Sequence, residues 1–181
     1  MANAEEPAAT GSVAPKGSYV IDPAASIVRF ATRAMFGLAP VRGTFAVARG
    51  AIVVAEPATE STVSAVIDAE SFDTKNARRD RHVKSADLLD VAAHPTFDFT
   101  STAVSEEAGR WTVSGDLTAH GVTAPVSIGV DVPAGFVIDQ SGAVRFTAHA
   151  TIDRYAFGVT KVKGMVARRL RVTFEMVAQP A

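Results

Sequence analysis

The residues with the most chemistry to offer lie between Glu70 and Pro95, in the stretch ESFDTKNARRDRHVKSADLLDVAAHP. Lys75, Arg78, Arg79, Asp80, Arg81, His82 and Lys84 make a charged cluster here, followed by the apolar group Val83, Leu88, Leu89 and Val91. Arginine presents a planar fork that matches oxyanions such as phosphate or pyrophosphate. Arg78, Arg79, Asp80 and His82 therefore form a candidate head-group site. The competing reading is structural: Asp80 pairs with Arg154 of the segment Ile152-Asp153-Arg154 and fastens this stretch to the rest of the fold.

Other chemistries find less support. The four histidines (His82, His94, His120, His149) show no i, i+4 pair and no HExxH, so no metal site is expected. There is no GxSxG, and Ser85-Ala86-Asp87 supplies no catalytic geometry. Asp73, Asp80, Asp87 and Asp90 could furnish an acid–base pair, but Asp73 and Asp87 are equally well explained as turn and helix caps. With no cysteine, thiolate ligands and thiol nucleophiles are excluded. No cofactor and no catalysis are expected. The enzymatic alternative uses His82 or His94 as an acid–base group on a small apolar substrate.

The chain has 181 residues, enough for one domain with a full core. Its net charge of −1 gives no global field for nucleic acid, and one short basic run without interleaved aromatics argues against nucleic-acid binding. No apolar run reaches the ~18–20 residues of a membrane span. Residues 1–17 carry Pro and Gly without periodicity, and a disordered tail is expected ahead of a domain over 18–181. An acidic pair stands where a signal peptide would be basic, which points to the cytoplasm; a leader ahead of it would imply the periplasm or secretion.

The elements that position the cluster are strands. Apolar and polar residues alternate in Ser26–Phe36, Arg42–Ala48, Ile52–Val54, Thr62–Ala69, around Phe97 and Phe99, and through four later segments. Gly50 reads as the punctuation of a hairpin. The only helical spacing lies at about 75–91. The expected fold is all-β: one eight-stranded antiparallel barrel with a short helical insert. Such a barrel is just wide enough to be filled by side chains or to hold one small ligand. The small inward residues Ala65, Gly115, Ala148 and Ala150 favour a cavity.

Five segments make the pattern more specific: YVIDPAASIVRF (19–30), GTF…G (43–50), SFDTKNARRDRHVKSADLLDVAAHPTFDFTS (71–101), VSGDLTAHGVTAPV (113–126) and IDRYAFG (152–158). In this order they resemble the YceI family of polyisoprenoid-binding proteins. The resemblance implies an extended lipocalin-like barrel that binds, stores or transports a lipid-like amphiphile, a polyisoprenoid or isoprenoid quinone, and it implies a possible homodimer. It makes Phe30, Phe45, Val83, Leu88, Leu89, Phe97, Phe99, Trp111, Leu117 and Phe146 the walls of the binding tunnel. Arg78, Arg79, Asp80, His82 and Arg154 then become a head-group site or an ion pair at its mouth. Leu88-Leu89 stand where relatives commonly carry a Phe pair, Val83 replaces a common Leu, and His94 a common Tyr. These departures bear on which ligand fits. A third reading, a filled barrel serving protein interaction, would show a contiguous apolar patch outside the barrel.

Overall fold

In the computed structural model, residues 9–11, 14–131 and 136–181 are described; the remainder of the expected N-terminal tail, 1–8 and 12–13, lies outside them. The strands are β1 (Ala9–Gly11), β2 (Gly17–Ile21), β3 (Ile27–Ala34), β4 (Ala39–Val54), β5 (Thr62–Asp73), β6 (Thr96–Glu107), β7 (Arg110–Ala119), β8 (Val122–Val130), β9 (Phe136–Ile138), β10 (Val144–Asp153) and β11 (Arg169–Pro180). One helix, α1 (Ala77–Lys84), follows β5. No described helix is long and apolar enough to cross a membrane.

All pairings are antiparallel, and they close into a barrel of eight staves. β4 through β8 pair in sequence order, β8 meets β10, and β10 meets β11. β2 and β3 together form the last stave, each pairing with β4 on one side and β11 on the other. The stave is interrupted at Asp22-Pro23, where the Asp22 carboxylate accepts from the amide of Ala24 at 2.9 Å. Ser26 rejoins it by accepting from the amide of Val177 at 3.0 Å. The closure is uneven. Among the described residues, β10 and β11 share ten register pairs, from Val144↔Ala178 to Asp153↔Arg169, whereas β10 and β8 share Ala148↔Val130 and His149↔Gly129, with Asp131 N donating to Thr147 O at 2.9 Å just beyond them.

The structure corrects two expectations. Gly50 makes no turn, because β4 runs unbroken through it. A Cβ there would sit 2.5 Å from Ile21 Cδ1 and 2.9 Å from the Ser64 carbonyl, so the glycine marks a close approach inside the sheet. The strand expected over Ser26–Phe36 stops at Ala34, where a hairpin begins. Ahead of the first barrel stave, Ala9–Gly11 pairs with Phe136–Ile138.

The insert is helical for a local reason. Asn76 caps α1 by accepting from the Arg79 amide at 3.0 Å. Arg81 and Lys84 lie in the last turn, where their charge suits the helix dipole. The chain then folds back, with Leu89 N donating to Val83 O and Val91 N to Lys84 O, so that Leu88 and Val91 are buried. The insert, the β3–β4 turn, the β7–β8 turn and residues 154–168 all gather at one end of the barrel.

Candidate functional site

A cavity of about 310 Å³ runs through the barrel interior. Its walls are the inward faces that alternation assigns: Val28 and Phe30 on β3, Phe45 on β4, Val113 and Leu117 on β7, Val126 and Ile128 on β8, and Phe174 and Met176 on β11. Such volumes fall at the lower edge of small-molecule sites, ~300–1,000 Å³. A few polar side chains reach the lining. Tyr19 and Ser61 do so toward one end, His120 and Arg154 toward the end that carries the insert.

The structure brings together Phe30, Phe45, Leu89, Phe97, Phe99, Trp111, Leu117 and Phe146, all of which line the cavity. Phe45 holds edge contacts to Phe72 and Phe97 at 5.4 and 5.3 Å between ring centres. Val83 and Leu88 do not reach the lining. Val83 packs behind it, against the cluster of Phe30, Val41 and Phe72, and Leu88 is buried within the folded-back insert. An insert folded across a barrel end turns only part of its apolar side chains inward, and here that part is Leu89, in the turn beyond α1. The glycine expected to leave room on β7 is constrained instead. A Cβ on Gly115 would come within 2.4 Å of the Thr100 carbonyl and 2.6 Å of the Phe99 ring.

The expected pairing of Asp80 with Arg154 is not formed. Asp80 turns back on its own insert and accepts from the amide of Thr74 at 3.1 Å and from the Thr74 hydroxyl. Arg79 Nε donates to the same hydroxyl at 2.8 Å. Thr74 is itself buried, so this trio fixes the turn between β5 and α1. Arg78 and His82 are exposed and lie outside the cavity lining. The charged cluster therefore does not converge on the interior.

Arg154 is placed differently. It is 7% exposed and lines the cavity, and among the described residues it forms no ion pair, its guanidinium bonding to carbonyls instead. Its guanidinium donates to the carbonyls of Ala167, Val159, Lys161 and Val166 at 3.1, 2.7, 2.9 and 3.1 Å. The Tyr155 ring lies 4.9 Å away. Burial pushes the arginine pKa below its usual value, while four carbonyl dipoles hold the charge in place. Arg154 thus ties residues 159–167 to the barrel and keeps a cation at the cavity's edge. Asp153 beside it is held below the usual carboxylate range, chiefly by its hydrogen bonds from Arg168.

His120 was missed because it falls in a turn rather than a strand. It adopts a left-handed backbone (φ 53°) before Gly121, and its Nδ1 lies 3.1 Å from the Phe157 carbonyl. Its ring meets that of His94 at 5.4 Å. A Cβ at Gly121 would sit 2.7 Å from the His94 ring, so this turn requires glycine twice over, for φ and for space. His94 does not line the cavity. Among the described residues, no three acidic or histidine side chains gather as a metal site.

Known proteins share this architecture. BcnA of Burkholderia cenocepacia superposes with a TM-score of 0.75 at 24% identity, covering 88% of this chain and 99% of that one. A polyisoprenoid binding domain from Saccharophagus degradans superposes with a TM-score of 0.64 at 16% identity, over 90% and 98% of the two chains. Among curated sequences, a UPF0312 protein of Pectobacterium carotovorum is 35% identical over 112 residues, which is 61% of this chain and 58% of that protein. Protein YceI of Escherichia coli O157:H7 is 44% identical over 66 residues, 36% and 35% of the two. These sequence alignments span between about a third and somewhat over half of the relatives' length. The YceI-like domain matches residues 19–178, from the first barrel stave to the last, and the chain belongs to the YceI-like family.

Proposed function

We propose that this protein binds a polyisoprenoid or isoprenoid quinone inside the barrel and stores or carries it without chemistry of its own. One observation carries the reading: the interior is a cavity with an almost wholly apolar lining, where a self-packed barrel would place side chains. A hydrocarbon entering it gains ~0.8 kcal/mol per buried CH₂. The sparse polar groups suit an amphiphile whose polar end lies toward Arg154 and His120, with its chain running past Phe45 and Phe97 toward Trp111. Large ligands realise only ~0.3 kcal/mol per heavy atom, so roughly micromolar to nanomolar affinity is expected. The resemblance of the fold to a domain described as polyisoprenoid binding supports the same class. A homodimer is part of the proposal, to be read from the mass in solution.

Mass spectrometry of an organic extract, beside native mass spectrometry of the intact protein, tests it. A stoichiometric isoprenoid or quinone is expected. A clean apo mass that persists after incubation with geranylgeraniol would overturn the reading. The single tryptophan offers a second measure, since Trp111 lines the cavity and its emission should shift as the chain enters.

A further inference from the structure

The turn between β3 and β4 exposes large apolar side chains where the fold has no use for them. Met35, Phe36 and Leu38 are 60%, 77% and 81% exposed, and Met165 of the neighbouring loop is 52% exposed. Met35 and Phe36 also hold left-handed backbone, at φ 51° and 57°. That conformation suits glycine or asparagine and costs a bulky residue roughly 1 kcal/mol. Neither stability nor solubility accounts for methionine and phenylalanine at this tip.

The tip is held firmly. Gly37 N donates to Ala34 O at 3.1 Å, and Leu38 N to Met35 O at 3.2 Å. Ala167 N donates to Arg33 O at 2.8 Å, and Ala34 bridges Val166, which locks the loop against the hairpin. The Phe36 ring lies over Gly164, where an added Cβ would be 3.6 Å away. Four apolar side chains therefore form one fixed knob. Exposed Arg33 stands at the end of β3 and exposed Lys163 in the neighbouring loop, beside Lys161, whose ammonium also pairs with Asp87 at 2.6 Å.

The knob belongs to the basic pole of a polar molecule. The segments at this end (33–41, 70–95, 118–123 and 152–169) hold eleven of the chain's 18 Lys and Arg but six of its 19 Asp and Glu. The net charge of −1 conceals an end with a surplus of five positive charges. A second copy of the chain would bring like charge against like. Four side chains also fall short of the ~800 Å² per partner that a stable protein interface buries. An anionic bilayer answers both features, since apolar side chains enter the acyl boundary by ~5–10 Å and each nearby cation adds ~1 kcal/mol.

We propose that this end of the barrel docks on an anionic lipid bilayer, with Met35, Phe36, Leu38 and Met165 among the acyl chains and Arg33, Lys161 and Lys163 at the headgroups. Leu89, His120 and Arg154 bring the cavity to the same end, so docking sets the site toward the source of its ligand; in that purpose alone the inference rests on the carrier reading.

Flotation with vesicles of phosphatidylcholine, alone or mixed with phosphatidylglycerol, tests it on the full chain. The protein should float with the mixed vesicles and release at high salt. Phe36→Asp combined with Leu38→Asp should weaken that binding by about tenfold or more. Lys163→Glu, remote from the core, should weaken it at low salt only. No flotation with either vesicle, or flotation unaffected by the paired substitution, would overturn the proposal. A dimer that the paired substitution converts to monomer would overturn it too, by making the knob a self-interface. Trp111 emission with geranylgeraniol separates the two readings. Flotation lost with the shift retained sinks docking alone, and the shift absent with flotation intact sinks the carrier alone.

Discussion

The wall formed by β2–β5, β10 and β11 and the wall formed by β6–β8 carry the same alternation of apolar and polar residues, yet they pack differently. On the first wall, Ile21, Val28, Val47, Ile67 and Met176 are buried against one another, and Tyr19, Val54, Val144 and Ala178 form a second cluster. On the second, β7 buries only Gly115, and β8 buries no residue at all. The inward side chains of β7 and β8 face the cavity without such packing, whereas Ile21, Val28, Ile67 and Met176 both pack together and line it. Period-two alternation says which side chains turn inward. Whether they find partners there depends on what the opposite wall sends across. Both walls line the cavity, but only the first is also a packed core.

Substitutions can break that contrast, beginning with the packed wall. Phe72 is buried outside the cavity and stacks on Phe30 at 5.2 Å, so Phe72→Ala should cost about 3–5 kcal/mol in urea denaturation. An equal loss from Val126→Ala would mean that both walls are packed alike. Arg154→Met should follow at about 3 kcal/mol, because four carbonyls lose their donor at once. Asp80→Ala combined with it should give additive losses, and a coupling energy in that cycle would restore the absent ion pair. Gly115→Ala should cost about 1–3 kcal/mol, since its methyl meets a backbone carbonyl that cannot retreat. The smallest stability change belongs to the open wall. Val113→Phe should alter unfolding by less than about 1 kcal/mol while abolishing ligand uptake, because the larger ring fills space that is empty of protein. A large destabilisation there would mean that the cavity is narrower than its walls imply.

Much of this was legible beforehand, for reasons that residues make plain. Val144, Phe146 and Ala148 against Arg145 and Thr147 assign β10 its inward face, and the barrel follows from repeating that pattern. The motif SFDTKNARRD marked the insert correctly, but composition could not say where its charges point. Asp80 was closer to Thr74, six residues back, than to any partner reached through the fold, and the local bond won. Val83 is apolar for packing on Phe30, Val41 and Phe72, and Leu88 for the insert's own packing, which spacing cannot distinguish from lining a cavity. His120 and the arginine's four carbonyls depend on how the turns of one barrel end meet, and no pattern within a strand encodes that.

The thin contact between β8 and β10 gives the molecule a hinge line. Among the described residues two β8–β10 register pairs, two β9–β10 pairs and the Asp131 N to Thr147 O bond stand on this flank against ten pairs on the other, so we expect the cylinder to unseal most readily by parting these staves. Amide protons along Val122–Ile128 should trade with deuterium well before those of β11, and crosslinking the seam should slow the entry of any long guest even though neither mouth of the barrel has been touched.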